Sequence, residues 1–283
     1  MTMFHGEWPL TSQGDHWNMR KWFLYASLIL NLAFIAVVLA LLSKGHEKKD
    51  TIAYPDGSVY RGQISREMAN GLGEKRNPDG KTFVGTWKDN AIDGFGQATS
   101  PNGAFYIGQW AEGKHQNAGI RRDKEGNLYY GEFIQGKENG QGAVLLASRD
   151  MYIGSWTDGE RSGYGVYVYE DGTFYAGLWE NGEKSGQGKE FFSDGDRYVG
   201  EYKSGQFDGR GVYTFENGIR FDGIWKSGKR NGEGSLTDSN LVVYTGNWYG
   251  EWDENTAEGV VTALYPNGET ARGRYVDGRF IRQ

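Results

Sequence analysis

The sequence predicts an all-β protein, an elongated single-layer antiparallel array of β-hairpin repeats preceded by one transmembrane α-helix. Three observations predict it. A ring-x-Gly motif recurs every 23 residues from Tyr60 to Tyr244. Glycine and aromatic residues dominate a polar chain, with 45 Gly and 15% Phe, Trp and Tyr against a mean hydropathy of −0.68. One uncharged apolar run, residues 22–43, breaks that texture. Disordered chains are poor in rings, so the array is expected to fold. The absence of Cys excludes disulfides, thiolate metal sites and cysteine nucleophiles.

Residues 1–21 read as an N-terminal tail, and Met19 is an alternative start. The run from Trp22 to Ser43 carries no charge, and Asn31, Ser27 and Ser43 are its clearly polar members. At about 1.5 Å per residue it is roughly 33 Å long, which matches the ~30 Å hydrocarbon layer of a bilayer. It is longer than a signal-peptide h-region and no small-x-small cleavage site follows before Lys44, so it is expected to stay as a single-pass anchor. Charges flank both ends. Arg20 and Lys21 directly before the run point to a cytoplasmic N-terminus, as in a bacterial inner-membrane signal anchor, with the array periplasmic. Residues 44–53 form a charged linker.

The array, 54–283, opens each unit with a ring at 60, 83, 106, 129, 152, 175, 198, 221 and 244. Two residues later comes Gly in all nine units, from Gly62 to Gly246. Two further on stands Trp at 87, 110, 156, 179, 225 and 248, Phe133 or Tyr202, and Ile64 alone departs. Period-2 alternation puts these three positions on one face of a β-strand. Gly-x-Gly pairs, such as Gly163/Gly165 and Gly186/Gly188, mark a second strand, with Asn117 replacing one glycine. Asp158-Gly159 and Asn181-Gly182 are turn signals within units. Asp79-Gly80, Asn102-Gly103, Asp171-Gly172, Asp194-Gly195 and Asn217-Gly218 are turn signals between them. Glycine weakens a strand, so its recurrence opposite rings calls for a reason. Bare backbone lets a Trp or Tyr lie flat across the sheet and stabilises a thin layer.

Units such as Tyr175-Ala-Gly177-Leu-Trp179-Glu-Asn-Gly182-Glu-Lys-Ser-Gly186-Gln-Gly188 resemble the MORN repeat, and the resemblance extends over about 54–280. It implies a MORN solenoid of about nine 23-residue units with partial units at both ends. It also implies a scaffold that binds other proteins, with lipid binding proposed for some members. At the C-terminal end the pattern drifts: Leu241 stands where a closing Gly belongs, Asn255 and Ala257 replace the Gly pair, and Ala271-Arg-Gly273-Arg-Tyr275 restarts it. An uncovered last strand there is expected to support self-association.

Function is expected to lie in the surface. Residues 51–283 carry 26 Lys/Arg and 33 Asp/Glu, a net charge of about −7, which disfavours nucleic acid and anionic lipid. The four histidines, His5, His16, His46 and His115, lack metal-ligand spacing, and the Gly-x-Gly pairs lack the Lys-Ser/Thr of a phosphate loop. No catalytic role, cofactor or metal is expected. The expected function is a membrane-anchored, non-catalytic scaffold whose partners are other proteins, themselves membrane-associated. The alternative is an array that binds lipid or cell-wall carbohydrate. Trp110, Trp156, Trp179 and Trp225 would line a shallow groove unless they form the core. Candidate partner-binding residues are Tyr164, Tyr167, Tyr169 and Tyr213 in the middle, with Trp248, Tyr249 and Trp252 near the end.

Overall fold

A computed structural model describes residues 50–250 and 258–283, so the expected span at 22–43 and Trp252 lie outside the described residues. Residues Thr51–Gln283 form one compact unit. Its strands are β1 (Asp50–Ala53), β2 (Val59–Ser65), β3 (Met68–Arg76), β4 (Thr82–Lys88), β5 (Ala91–Thr99), β6 (Phe105–Ala111) and β7 (Lys114–Arg122). They continue with β8 (Leu128–Ile134), β9 (Lys137–Leu145), β10 (Met151–Thr157), β11 (Glu160–Val168), β12 (Phe174–Glu180), β13 (Glu183–Phe191) and β14 (Arg197–Lys203). The last are β15 (Gln206–Thr214), β16 (Arg220–Lys226), β17 (Lys229–Thr237), β18 (Val243–Gly250), β19 (Glu258–Leu264), β20 (Thr270–Val276) and β21 (Arg279–Arg282). All 21 belong to one sheet that does not close, and from β2 onward each strand pairs antiparallel with the next. Among the described residues no helix is long and apolar enough to cross a membrane. Strand β1 lies within the expected linker, because the turn at Tyr54–Ser58 folds it back beside β2.

Two kinds of turn alternate. Within a hairpin the loop has two residues, both at positive φ, as in Asp158 (51°) with Gly159 (93°), the geometry that matches the strands' own twist. Glycine is dispensable there, since Arg66-Glu67 and Asp89-Asn90 adopt the same conformation. Between hairpins, turns such as Asn77–Lys81 close with Gly80 N–H donating to Asn77 O at 3.0 Å. The Asp79 carboxylate accepts from Lys81 N–H at 3.0 Å, an Asx turn.

Each Gly-x-Gly pair divides its labour, which differs from the expectation that both glycines clear space for rings. The first sits at a β-bulge: the register runs Gly154↔Gly165 and then Ser155↔Ser162, so Gly163 (φ 61°) and Tyr164 are the extra residues. Asn117 holds that place at φ 52°, and Asn tolerates the left-handed region best after Gly. The second glycine does serve clearance. A Cβ on Gly165 would stand 2.4 Å from the Tyr152 ring, and one on its partner Gly154 would stand 2.6 Å from Gly165 Cα.

Candidate functional site

The ring face is built from the opening aromatics of the units, and Tyr60, Tyr106, Tyr129, Tyr152, Tyr175, Tyr198 and Phe221 each lie across their own hairpin's glycines. The Tyr152 hydroxyl donates to Ser155 O at 2.9 Å and the Tyr175 hydroxyl to Leu178 O at 2.8 Å, using the carbonyl opposite the bulge. Trp179 of the next unit meets Tyr152 edge-on, with centroids 5.3 Å apart, and its Nε1–H donates to Gly165 O at 3.4 Å. Trp87, Trp110, Trp225 and Trp248 repeat that bond to a glycine carbonyl 14 residues earlier. Trp156 is the exception, its buried Nε1 lacking a hydrogen-bond partner. The rings therefore form a continuous edge-to-face core, and Trp110, Trp179 and Trp225 are buried in it rather than lining an open groove.

Where the second strand passes over the opening ring, the side chain that enters this face differs from unit to unit and is charged in some of them. His115 stacks on Tyr106, with centroids 3.6 Å apart, and Phe207 occupies the same position over Tyr198 at 3.8 Å. Arg161 lies 4.4 Å from the Trp179 centroid and donates to Gly182 O at 2.8 Å. Lys184 sits 4.9 Å from the Tyr175 centroid and pairs with buried Glu190, which also accepts from the Tyr202 hydroxyl at 3.0 Å. Burial pushes the Lys184 amine below its ordinary value, and Glu190 opposes that shift. Glu138 pairs with Arg121. A cleft of about 400 Å³ opens here, lined among others by Arg121, Tyr129, Glu138, Trp156, Arg161 and Asn181. Among the described residues no group of three or more acidic or His side chains is placed to hold a metal ion.

The opposite face carries apolar residues in the middle of the array, Phe174 stacked on Phe191 among them. Cross-strand register aligns Leu128, Leu145, Met151, Val168, Phe174 and Phe191 in one row from β8 to β13. A parallel row runs through Ile120, Tyr130, Ala143, Ile153, Val166 and Ala176. Met151, Val168 and Phe174 are buried yet fall outside the ring-face core cluster, whereas Leu145, Tyr130, Leu178 and Val199 are exposed. Tyr164, 59% exposed, pairs across the strands with Leu178.

The candidate partner-binding residues thus divide between the faces. Tyr164 and Tyr249 are exposed. Tyr167 and Tyr213 are buried on the ring face, where their hydroxyls donate to Asp150 Oδ2 at 2.8 Å and Asp196 Oδ2 at 2.6 Å. Tyr169 packs against Tyr167, with centroids 4.5 Å apart, and is partly buried. Trp248, at 0% exposure, is a core ring; the alternation of β18 turns it inward and its neighbour Tyr249 outward. The structure therefore does not join these residues into one surface. Reading positions between the motif rings at the same 23-residue period finds the rows of the opposite face, because cross-strand neighbours fall at fixed places in the repeat.

The MORN repeat family model matches residues 83–105, 106–127, 129–143, 152–174, 175–197, 198–220 and 221–241, just over half of the chain. No curated protein matches it. Among solved structures, the TCP10 domain of Danio rerio CPAP in complex with a STIL peptide is 12% identical, covering 74% of this chain and 96% of that one at a TM-score of 0.37. The G-box domain of the microcephaly protein CPAP is also 12% identical, covering 63% and 97% at a TM-score of 0.36. The Drosophila melanogaster SAS-4 TCP domain is 11% identical, covering 79% and 88% at 0.31.

Proposed function

The chain belongs to the MORN-repeat family, and we propose that it is a membrane-anchored, non-catalytic scaffold whose array binds other proteins. The observation that carries this reading is the exposed apolar set on the face opposite the core rings, Tyr130, Leu145, Tyr164, Leu178 and Val199. Exposed apolar residues gathered on one face mark interaction sites in soluble domains. The ring face, by contrast, spends its aromatics on holding the sheet together. Residues 22–43 supply the anchor, with the N-terminus cytoplasmic and the array periplasmic. Self-association is assigned to the C-terminal end, where β21 offers a four-residue edge.

Crosslinking and pull-down of the full-length protein test the scaffold. Stoichiometric partners are expected, and they should be lost from a Tyr164→Glu/Leu178→Glu variant whose circular dichroism is unchanged. Recovery of no partner, or of the same partners from the variant, refutes the reading. A reporter fused after residue 283 tests topology, and a cytoplasmic signal reverses the assignment. Light scattering of full-length protein tests self-association, which should weaken when Ile281 is changed to Asp.

A further inference from the structure

Val144 on β9 stands one repeat period before Tyr167 and three before Tyr213, so the three residues hold the same place in their units. Both tyrosines fill that place from within. Each ring lies beside its neighbouring tryptophan, Tyr167 with its centroid 5.9 Å from Trp179 and Tyr213 6.1 Å from Trp225. Each hydroxyl donates to the Oδ2 of an aspartate whose Oδ1 accepts a backbone N–H, from Glu170 at Asp150 and from Glu216 at Asp196. The Val144 unit keeps that frame without the ring. Asn127 stands where Asp150 and Asp196 stand, and its Oδ1 accepts Ala147 N–H at 2.9 Å. Trp156 stands where Trp179 and Trp225 stand. It is only partly buried, whereas those two are 6% and 1% exposed, and its Nε1–H has no acceptor. The cleft of about 400 Å³ opens at this place, with Asn127, Glu138, Val144, Leu146 and Trp156 among its walls. Where other residues take the position the space is closed: Glu190 holds Lys184 and Tyr202, and Leu236 is fully buried in the core.

We propose that the cleft takes a tyrosine side chain from a partner protein, laid against Trp156 in the place that Tyr167 and Tyr213 occupy in their own units. An open indole beside Val144 and Leu146 favours an aromatic guest, which buries more area there than an aliphatic one. Asn127 narrows the chemistry further. Its Nδ2–H donates to Asp123 Oδ2 at 2.8 Å, so the polar end of the guest meets an amide donor and a carboxylate oxygen together. A hydroxyl accepts from the first and donates to the second. A plain phenyl ring does neither, and a carboxylate would be set against Asp123. Charges of both signs, at Arg121, Glu160 and Arg161, line the rest of the cleft and suit the amides and carbonyls of a peptide segment better than a free apolar ring. The site lies on the ring face and is separate from the exposed apolar set around Tyr164 and Leu178 on the opposite face.

The test pans a phage-displayed library of random peptides on full-length protein in detergent. Peptides enriched by the natural protein should share one tyrosine. In a synthetic, fluorescent copy of the strongest of them, replacing that tyrosine by alanine should weaken binding about tenfold in anisotropy, and replacing it by phenylalanine about threefold. The Asn127→Asp/Val144→Tyr variant fills the cleft as Asp150 and Tyr167 do, and it should keep or raise the thermal midpoint while losing the peptide. Tyr164→Glu/Leu178→Glu should leave peptide binding unchanged. Enrichment of no peptide, enrichment without a common tyrosine, or equal binding of the alanine-substituted peptide overturns the inference. So does a peptide still held by folded Asn127→Asp/Val144→Tyr protein. If Tyr164→Glu/Leu178→Glu abolishes the binding, the peptide belongs to the opposite face, and the scaffold reading stands while this assignment of the cleft fails.

Discussion

His115 lies flat on Tyr106, its ring plane 6° from parallel and its centroid 3.6 Å away, with Trp110 and Phe133 edge-on around the pair. Its Nδ1 is buried with no hydrogen-bond partner. Burial lowers the imidazole pKa to about 4, and Arg121 adds to the shift. The unfolded chain therefore takes up this proton first as pH falls. The His115 contribution is intact above about pH 6.5 and is lost progressively between there and pH 4, at a cost on the order of 2 kcal/mol after allowing for partial exposure. Phe207 on Tyr198 shows that a phenyl ring fits the same position. Urea melts at pH 7 and pH 5 should show His115→Phe losing less stability on acidification than the natural protein. Parallel losses would mean that His115 does not sense pH.

Glycines 182 and 188, six residues apart, should respond differently to a methyl group. A Cβ on Gly188 would stand 2.4 Å from the Tyr175 ring, so Gly188→Ala must displace a core aromatic and should cost about 3 kcal/mol. Gly182 has open space around it and a φ of +79°, so Gly182→Ala should cost only about 1 kcal/mol through backbone strain. Chemical denaturation of the two variants measures the difference. Equal costs would contradict the ring-clearance account.

Arg149 occupies, at φ 72°, the turn position that Gly fills in most other units. Its ion pair with Glu170 joins two exposed side chains and contributes little. Arg149→Gly should therefore raise stability by about 1 kcal/mol and the thermal midpoint with it. A lowered midpoint would show that the side chain matters more than the backbone strain. The family match to this unit stops at residue 143, short of that turn.

Much of the fold was legible because a repeat announces itself: a constant spacing of ring, glycine and ring requires each unit to make the same local structure. The 23-residue period, the strand alternation and the Asp-Gly and Asn-Gly turns all belong to short-range backbone and side-chain preferences. The turns at Arg66-Glu67 and Asp89-Asn90 escaped that reading, because nothing local demands positive φ there; the twist of the paired strands imposes it. The bulge was hidden for the same reason. A Gly-x-Gly pair does not say which glycine bends and which makes room until the opposing strand fixes the register.

The sequence by itself determined that this chain would be a β-hairpin array carrying its motif rings on one face. Only the tertiary structure decided which aromatics remain available to a partner. Trp248 and Tyr249 are adjacent in the chain, and one is enclosed while the other is exposed. Tyr213 and Tyr164 fare likewise, one held by Asp196 beneath its neighbours and the other pointing outward beside Leu178. Composition counts these rings alike. Cross-strand pairing sorts them, because the identity of the strands on either side sets what each side chain touches.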